Sequence, residues 1–360
     1  MKKQLFYSLV AVATFTACST SKQLSNKGKT PDVYIAGWEY RKFGSNLRKI
    51  ATLWKNGEKQ SLTDETQESE AKSVYVTNSD VYVAGFEKSK ETNKNVAILW
   101  KNGVAQHLTD GSQEAQALAV YVDNDEAYVA GFDKKSGKTV ATLWKNGVAQ
   151  NLANGAKPSE AHSVYVSGND VYAAGVESNG KVAVAMLWKN GIAQELTDGT
   201  RQAWARSVFV SNSNVYVAGY EQYDGKLVAI LWKNGIAQKL TDGKTIGYAL
   251  SVYVSGKNVY VAGDDEYTRM RDGGGSGVAK LWKNGKAKNL TTKRLGVSAT
   301  SVYVFGKDVY VTGGYIEGGR KKVGKLWKNG KDYFTAGAED IPAEFTILSI
   351  PAEFTSVFVK

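Results

Sequence analysis

The string Leu-Trp-Lys-Asn-Gly occurs seven times, and this repetition constrains the fold more than any other feature of the sequence. Consecutive copies are separated by 46, 44, 44, 44, 50 and 45 residues. Their tryptophans are Trp54, Trp100, Trp144, Trp188, Trp232, Trp282 and Trp327. Two further strings, close to Val-Tyr-Val-Ala-Gly and Ser-Val-Tyr-Val, also occur seven times. A unit of this length cannot bury an apolar face alone, so the repeats are expected to stack on one another.

Each repeat predicts four β-strands, which we name A to D. In the second complete repeat they are predicted at residues 119–122, 127–130, 139–144 and 148–152. The Asn-Gly between strands C and D favours a tight hairpin, because both turn positions accept positive φ. Repeats of about 40–50 residues with four strands are typical of propeller blades. The sequence therefore predicts an all-β, seven-bladed β-propeller over residues 33–360.

The two ends of the repeat predict how the ring closes. The chain enters the fold at a B strand, residues 33–37, and finishes with an A-type string at 356–359. We expect these ends to build the seventh blade together, which removes an open sheet edge. Ile-Pro-Ala-Glu-Phe-Thr occurs twice, beginning at residues 341 and 350. The later copy is expected to lead into the closing strand, because Ser-Val-Phe-Val follows it.

The N-terminus predicts export. Two lysines precede an apolar run at residues 5–15, which is too short to span a bilayer. The string Phe-Thr-Ala-Cys that ends at Cys18 resembles the lipobox of bacterial lipoproteins, whose cysteine becomes lipidated. Residues 1–17 are thus expected to be a signal peptide and residues 18–32 a flexible tether. Ordinary cleavage nearby, with an unmodified Cys18, is the alternative.

Together, the repeats and the lipobox resemble bacterial cell-surface lipoproteins built from a seven-bladed β-propeller. The resemblance implies a monomer anchored in the cell envelope, at the outer membrane or the cell surface. The formal net charge is +11, or +9 without the two signal-peptide lysines (11 − 2), which attracts anionic surfaces. Nucleic acid is not an expected partner of an exported protein. The marks of WD, kelch and sialidase repeats are missing, so the resemblance carries no catalytic residues.

Residues that recur once per blade are interpreted as structural. The repeat tryptophans and tyrosines are expected to pack between neighbouring sheets, as buried aromatics usually do. The repeat lysines are expected to be solvated in the C–D turns; they are Lys55, Lys101, Lys145, Lys189, Lys233, Lys283 and Lys328.

Function is expected where the repeat is broken. In a propeller of this strand order the B–C and D–A connections share one face, and they vary as recognition loops do. Long B–C loops are predicted at residues 264–277, 314–322 and 38–49, in blades five, six and seven. This face is therefore predicted to be lopsided, with the binding surface over blades four to seven.

Aromatic residues and arginines outside the repeat cluster on the same blades. Trp204 and Tyr248 occupy equivalent repeat positions before the innermost strand, so we expect them side by side near the channel mouth. The other candidate ligand-binding residues are Arg206, Tyr223, Tyr267, Arg269, Arg271, Tyr315 and Tyr40. Aromatic platforms beside arginine suit sugar faces and carboxylate or sulfate groups. Trp38 and Tyr220 are not included, because phenylalanine takes their repeat position elsewhere.

Few residues favour catalysis. The chain has two histidines, His107 and His162, in different blades, and its acidic clusters lack the spacing of a calcium loop. No metal or cofactor site is therefore expected. The leading hypothesis is a non-catalytic module that binds a glycan or a protein partner. The alternatives are a glycoside hydrolase or polysaccharide lyase that uses Glu160 or His162 at the channel mouth, and a structural subunit of an envelope complex.

Overall fold

β-Strands provide all the regular secondary structure of the residues that this computed structural model describes, which are 31–44, 46–269, 275–292, 294–317, 321–336 and 352–360. The predicted signal peptide, Cys18, most of the tether and the Ile-Pro-Ala-Glu-Phe-Thr copy at 341 lie outside them. Contacts gather Asp32–Lys360 into one compact unit. Within the described part of the chain, no helix is long and apolar enough to cross a membrane.

The described strands form seven four-stranded blades. Blade seven contains β1 (Val33–Phe43), β2 (Asn46–Lys55) and β3 (Glu58–Ser61). Blade one contains β4 (Ser69–Val76), β5 (Val81–Lys88), β6 (Asn95–Lys101) and β7 (Val104–His107). Blade two contains β8 (Ala115–Asp123), β9 (Glu126–Lys135), β10 (Lys138–Lys145) and β11 (Val148–Asn151). Blade three contains β12 (Ser159–Ser167), β13 (Asp170–Ser178), β14 (Ala183–Lys189) and β15 (Ile192–Glu195).

The remaining blades follow the same order of strands. Blade four contains β16 (Ala203–Ser211), β17 (Asn214–Tyr223), β18 (Lys226–Lys233) and β19 (Ile236–Lys239). Blade five contains β20 (Ile246–Ser255), β21 (Asn258–Arg269), β22 (Gly275–Lys283) and β23 (Lys286–Asn289). Blade six contains β24 (Arg294–Phe305), β25 (Asp308–Glu317), β26 (Lys321–Lys328) and β27 (Lys331–Ala336). Blades five and six share one eight-stranded sheet, because β22 also pairs with β24.

The last strand, β28 (Ala352–Val359), closes the ring by pairing antiparallel with β1. Val33 lies opposite Val359, and the backbones of Asp32 and Lys360 exchange two hydrogen bonds of 2.8 and 3.0 Å just beyond the ladder. The later Ile-Pro-Ala-Glu-Phe-Thr copy therefore leads into the closing strand, as expected. The predicted seven-bladed all-β fold and its closure by both termini are confirmed.

A closed circle of aromatic rings shows that the seven A strands surround one axis. Each ring contacts the next, with centroids 4.7–4.9 Å apart, and the last returns to the first. This channel aromatic ring consists of Tyr75, Tyr121, Tyr165, Phe209, Tyr253, Tyr303 and Phe358. The tyrosines of the A strands thus line the central channel, and the prediction that they pack between sheets is wrong for this set. Alternation along a strand sends them to the opposite face from the buried valines.

The repeat tryptophans fill the space between neighbouring blades, as predicted. Each is between 0% and 2% exposed. Trp232 belongs to a cluster with Ala174 and Leu187 of blade three and Val208 and Ile230 of blade four. Burying a side chain of this size contributes roughly 1.5–3 kcal/mol or more from apolar area. The tryptophans are therefore structural.

Each repeat lysine interacts with side chains of its own blade. Each ammonium group lies 5.2–5.5 Å from the ring centroid of the B-strand tyrosine in the same blade. In five blades it also pairs with a carboxylate at the start of strand B, as Lys101 does with Asp80 at 3.1 Å. The lysines lie at the end of strand C, where all but the half-buried Lys328 are solvent-exposed, and they do not form a ring of free cations.

The prediction of long loops is wrong for the described residues of these segments, which extend the B and C strands into paired hairpin arms. In blade seven the β1–β2 ladder continues from Trp38 opposite Ala51 to Phe43 opposite Asn46. In blade six the ladder reaches Glu317 opposite Lys321. Continuing the ladder satisfies the backbone donors and acceptors that a loop would leave to water. The blades still differ on this face, but the difference comes from paired hairpin arms and not from loops.

Serine hydroxyls connect neighbouring A strands around the channel. In six of the seven blades, the hydroxyl group of one A-strand serine accepts a hydrogen bond from the backbone N–H of a valine in the A strand of the next blade. The distances are 3.1–3.4 Å, and Ser207 to Val252 is 3.1 Å. Blade two has Ala119 at this position, which offers no hydroxyl to the N–H of Val164.

We therefore expect Ala119→Ser to raise the free energy of unfolding by about 0.5–1.5 kcal/mol, the usual net value of one hydrogen bond. Ser207→Ala should lower it by a similar amount. Guanidinium denaturation measures both, with the exposed Ala149→Ser of the same blade as control. An Ala119→Ser variant no more stable than the control would contradict the inter-strand role of these serines.

Candidate functional site at the mouth of the central channel

Every A strand contains a one-residue register shift at the same place, where the chain turns towards the channel. The extra residues are Lys72, Leu118, His162, Arg206, Leu250, Thr300 and Thr355. The repeat glycine of strand B makes the shift possible. A Cβ on Gly219 would lie 2.0 Å from the Trp204 carbonyl oxygen and 2.9 Å from the Trp232 ring. We call these extra residues the bulge residues.

Two residues before each bulge, one A-strand residue faces one B-strand residue, and these seven pairs form the mouth of the channel. The pairs are Glu70–Phe86, Gln116–Phe132, Glu160–Val176, Trp204–Tyr220, Tyr248–Asp264, Ser298–Gly314 and Glu353–Trp38. Since the strand pairing is the same in every blade, differences between the mouth pairs show which blades depart from the repeat in their side chains. Blade four has two aromatic residues, and blade five has an aromatic residue next to a carboxyl group.

An aromatic row runs along the mouth from blade four to blade five. The rings of Trp204 and Tyr220 are 5.2 Å apart, and those of Tyr220 and Tyr248 are 5.0 Å apart and nearly perpendicular. All three residues are half-buried. The predicted neighbours Trp204 and Tyr248 thus meet on either side of Tyr220. Sequence reasoning excluded Tyr220, and the strand register, which sets it opposite Trp204, is the signal that identifies it.

Arg206 and His162 lie next to this row. Arg206 Nη1 is 3.5 Å from Nδ1 and 3.4 Å from Nε2 of His162, so the guanidinium covers the imidazole. His162 Nδ1 lies 2.9 Å from the carbonyl oxygen of Ala205, and Nε2 lies 3.2 Å from Glu160 Oε2. Because a neutral imidazole has one N–H, it donates to only one of these two acceptors. The His162 side chain is 6% exposed, which leaves little of it accessible to a ligand.

The charges of this cluster affect one another. Burial and the Arg206 guanidinium hold the pKa of His162 below its ordinary value, although Glu160 and the Ala205 carbonyl oppose them. The hydrogen bond with His162 lowers the pKa of Glu160. In the part of the chain described, Arg206 itself has no carboxylate at ion-pair distance. The mouth of blade four therefore presents a half-buried cation beside three aromatic rings.

At the same repeat positions, blade one has a lysine whose positive charge is neutralised by a glutamate. Glu70 forms ion pairs with the bulge residue Lys72 and with Lys49, the latter at 2.6 Å. Burial acts to raise the pKa of Glu70, but the two lysines outweigh it and hold this pKa below its ordinary value. The Lys49 ammonium also lies 4.8 Å from the Trp38 ring centroid. Blade one thus has a cation and an aromatic residue nearby, but its cation is already paired.

Each member of the channel aromatic ring lies three residues after the bulge residue of the same A strand. Five of its seven members carry hydroxyl groups, and burial raises the pKa of Tyr75, Tyr121, Tyr165, Tyr253 and Tyr303. These hydroxyls therefore stay protonated at neutral pH.

Tyr223 and Tyr315, two other predicted ligand-binding residues, have their contacts away from the aromatic row. Tyr223 donates to Glu221 at 2.8 Å and lies under Lys239 of the outer strand, 3.7 Å from its ammonium nitrogen. Tyr315 is 8% exposed and packs in the core between blades five and six, contrary to its predicted place in an exposed loop. Its position in the paired β25–β26 arm, rather than a loop, explains the burial.

Tyr40 lies in the arm of blade seven, where its ring meets the edge of Trp38 at 5.3 Å. The backbones of Tyr267 and Arg269 belong to β21, where Tyr267 faces Ile246 and Arg269 faces Gly275. Arg271 lies outside the described residues. Tyr40 thus lies beside the paired cluster of blades one and seven.

His107 lies in a different blade from His162, in a groove of 490 Å³ formed by blade one and the connections on either side of it. The groove is also lined by Asp64, Glu87 and Asp110. Burial and the charge of Asp64 raise the pKa of Glu87. Among the described residues, no group of three or more His, Cys, Asp or Glu side chains is arranged to hold a metal ion.

Asp264 is a buried carboxyl group at the blade-five mouth. It faces Tyr248 across the strand pair, is 5% exposed, and accepts a hydrogen bond of 2.9 Å from the Ala299 N–H. Burial raises its pKa to about 8, against a weaker lowering effect of that hydrogen bond. Asp264 therefore retains its proton at neutral pH in the folded chain.

This pKa predicts a dependence of stability on pH. Between pH 3.8 and about 8 the unfolded chain has released the Asp264 proton and the folded chain has kept it, so this carboxyl group costs more stability as pH rises. We expect Asp264→Asn to match the parent near pH 4 and to be more stable at pH 8, with a difference that grows steadily between. Thermal melts across this range measure the effect, with the exposed Glu58→Gln as control. A difference independent of pH would refute it.

The comparisons with known proteins give low similarity. No protein-family model and no curated protein matches the chain. The TolB structure from Acinetobacter baumannii is 13% identical with a TM-score of 0.45, and the match covers 71% of this chain and 62% of that one. The chain thus spans less than two thirds of that relative.

Two further solved structures are similar to the chain. The putative TolB from Agrobacterium tumefaciens is 11% identical with a TM-score of 0.44, covering 74% of this chain and 90% of that one. The β-propeller domain of the Trilobed protease from Pyrococcus furiosus is 9% identical with a TM-score of 0.48, covering 87% and 99%. These likenesses transfer no activity, and the propeller assignment rests on the chain's own strand order.

Proposed function

We propose that this protein is a non-catalytic binding module that holds a glycan at the channel mouth of blades four and five. The aromatic row of Trp204, Tyr220 and Tyr248 supports the proposal most directly. Aromatic rings at the mouth of a rigid scaffold offer apolar faces on which the C–H faces of sugar rings stack. Because all three residues belong to paired strands, the platform exists before the ligand arrives, which lowers the entropic cost of binding.

The position of the row fits a recognition role. Each of the three residues is half-buried, so it is held by its neighbours and still presents surface. The equivalent pairs of blades one to three have no second aromatic residue, so the platform belongs to blades four and five.

We further propose that the protein is exported and anchored in the bacterial envelope through a lipid on Cys18. The proposal rests on the apolar run and the lipobox-like string at residues 15–18. Strand β1 begins at the A–B turn side of the ring.

The double variant Trp204→Ala with Tyr248→Ala tests the glycan site. We expect at least about a tenfold loss of affinity for any glycan that the parent binds, because truncating central aromatic anchors costs about 2 kcal/mol or more. A glycan array followed by calorimetry measures it. Tyr333→Ala is the control, since Tyr333 is a 56% exposed tyrosine on an outer strand. Unchanged binding by the double variant would exclude this site, and a blank array would favour a protein partner.

The pair of Glu160 and His162 keeps a carbohydrate-active enzyme as the second candidate. A carboxylate at 3.2 Å from an imidazole nitrogen is a possible acid–base couple. Its weakness is that the imidazole is covered by Arg206. Release of reducing ends or unsaturated products from a bound polysaccharide, abolished by Glu160→Gln, would establish this function in place of simple binding.

A further inference from the structure

The repeat provides an internal comparison for the cation at the mouth. In blades one and three, a glutamate lies two residues before a bulge residue that is cationic or protonatable. Glu70 pairs with Lys72, and Glu160 Oε2 lies 3.2 Å from His162 Nε2. Blade one thus has a carboxylate–cation pair at these positions, and blade three has a carboxylate next to an imidazole.

Blade four has the cation without its carboxylate. Trp204 occupies the position of the glutamate, and Arg206 occupies the bulge. No described carboxylate lies at ion-pair distance from Arg206, and the carboxylate that its charge reaches, Glu160, is hydrogen-bonded to His162 instead. Its guanidinium is half-buried against His162, and its charge is felt by Tyr220, whose pKa burial raises and Arg206 lowers. A partly desolvated arginine gains from an anionic partner with matching geometry.

We propose that the glycan bound at the mouth is anionic, and that Arg206 binds its carboxylate or sulfate group while the sugar ring stacks on the aromatic row. This inference rests on the proposed glycan-binding function and names the chemical class of its ligand. The ligand supplies to Arg206 the negative charge that Glu70 supplies to Lys72 in blade one. The imidazole of His162 contacts the guanidinium.

Polygalacturonate and dextran sulfate are suitable probes, because they carry carboxylate and sulfate groups on a glycan. Polygalacturonate whose carboxyl groups have been reduced to alcohols is the neutral control with the same sugar backbone. The purified full chain is titrated with each polymer by calorimetry at fixed ionic strength. We expect binding of at least one polyanion and at least tenfold weaker binding of the reduced polymer.

Variants at the bulge position then test Arg206 itself. Arg206→Gln is expected to lose about tenfold or more in affinity for the polyanion, and Arg206→Lys a smaller amount, because lysine lacks the planar fork. Lys72→Gln is the matched control at the same repeat position, where the cation already has a carboxylate. Its affinity should equal that of the parent.

A second pair of variants separates charge pairing from loss of the aromatic residue. Trp204→Glu restores the carboxylate that the other blades have, whereas Trp204→Gln has the same shape without the charge. We expect Trp204→Glu to bind the polyanion several-fold more weakly than Trp204→Gln, because its own carboxylate occupies Arg206. Glutamate is native at this position in blades one and three, so both variants are expected to fold, and thermal melts confirm it.

The outcomes distinguish this inference from the proposed function. Equal affinity for the polyanion and the reduced polymer, or an Arg206→Gln variant that binds as the parent does, overturns the anionic class and leaves glycan binding intact. Failure of both polyanions to bind overturns the anionic class as well. The array of neutral glycans then decides separately whether the mouth binds glycans at all.

Discussion

Burial of one tryptophan per repeat between neighbouring blades is the interaction on which the rest of the structure depends. Each indole is at most 2% exposed and fills the space between two sheets, so no blade buries its apolar face without the next one. Every blade therefore depends on its neighbour, and the last of these interfaces forms only when β28 pairs with β1. The strand-B glycine serves the same packing, because it leaves room for the carbonyl group of the A-strand mouth residue, such as Trp204 beside Gly219.

Because these contacts are repeated almost unchanged, the inner surface of the ring is free to vary. The mouth pairs and the bulge residues are in register in all seven blades, yet their chemistry differs from blade to blade. Blade one neutralises its cation with Glu70, and blade three places His162 between Glu160 and Arg206. Blade four exchanges the glutamate for Trp204. At the candidate site, an aromatic residue thus takes the place of a charged one, while the surrounding strands are the same as in the other blades.

Much of the fold was predictable because its determinants are local and periodic. The Leu-Trp-Lys-Asn-Gly string marks strand C and its turn, and the order of strings at the termini predicts the closure. The arms were not predictable in the same way, because residues 38–43 differ in composition from the repeat and are ordered by pairing with β2. Tyr315 was misplaced for the same reason, since its burial depends on contacts between two blades.

The candidate site was predictable in part. Trp204, Tyr248 and Arg206 break the repeat at positions that spacing alone assigns to the mouth. Tyr220 was missed because phenylalanine at its repeat position indicated a core role, and only the strand register sets it opposite Trp204. The partner of Arg206 was hidden too, since the contact with His162 joins residues 44 positions apart on adjacent blades.

The central claim is that ligand recognition occurs where blade four replaces a carboxylate with an aromatic residue. A crystal structure of the protein soaked with an oligogalacturonide tests this claim most directly. We expect electron density for a sugar ring against Trp204 or Tyr248, with its carboxylate group at the Arg206 guanidinium. Density in the His107 groove or over blade one, with an empty mouth at blades four and five, would contradict it.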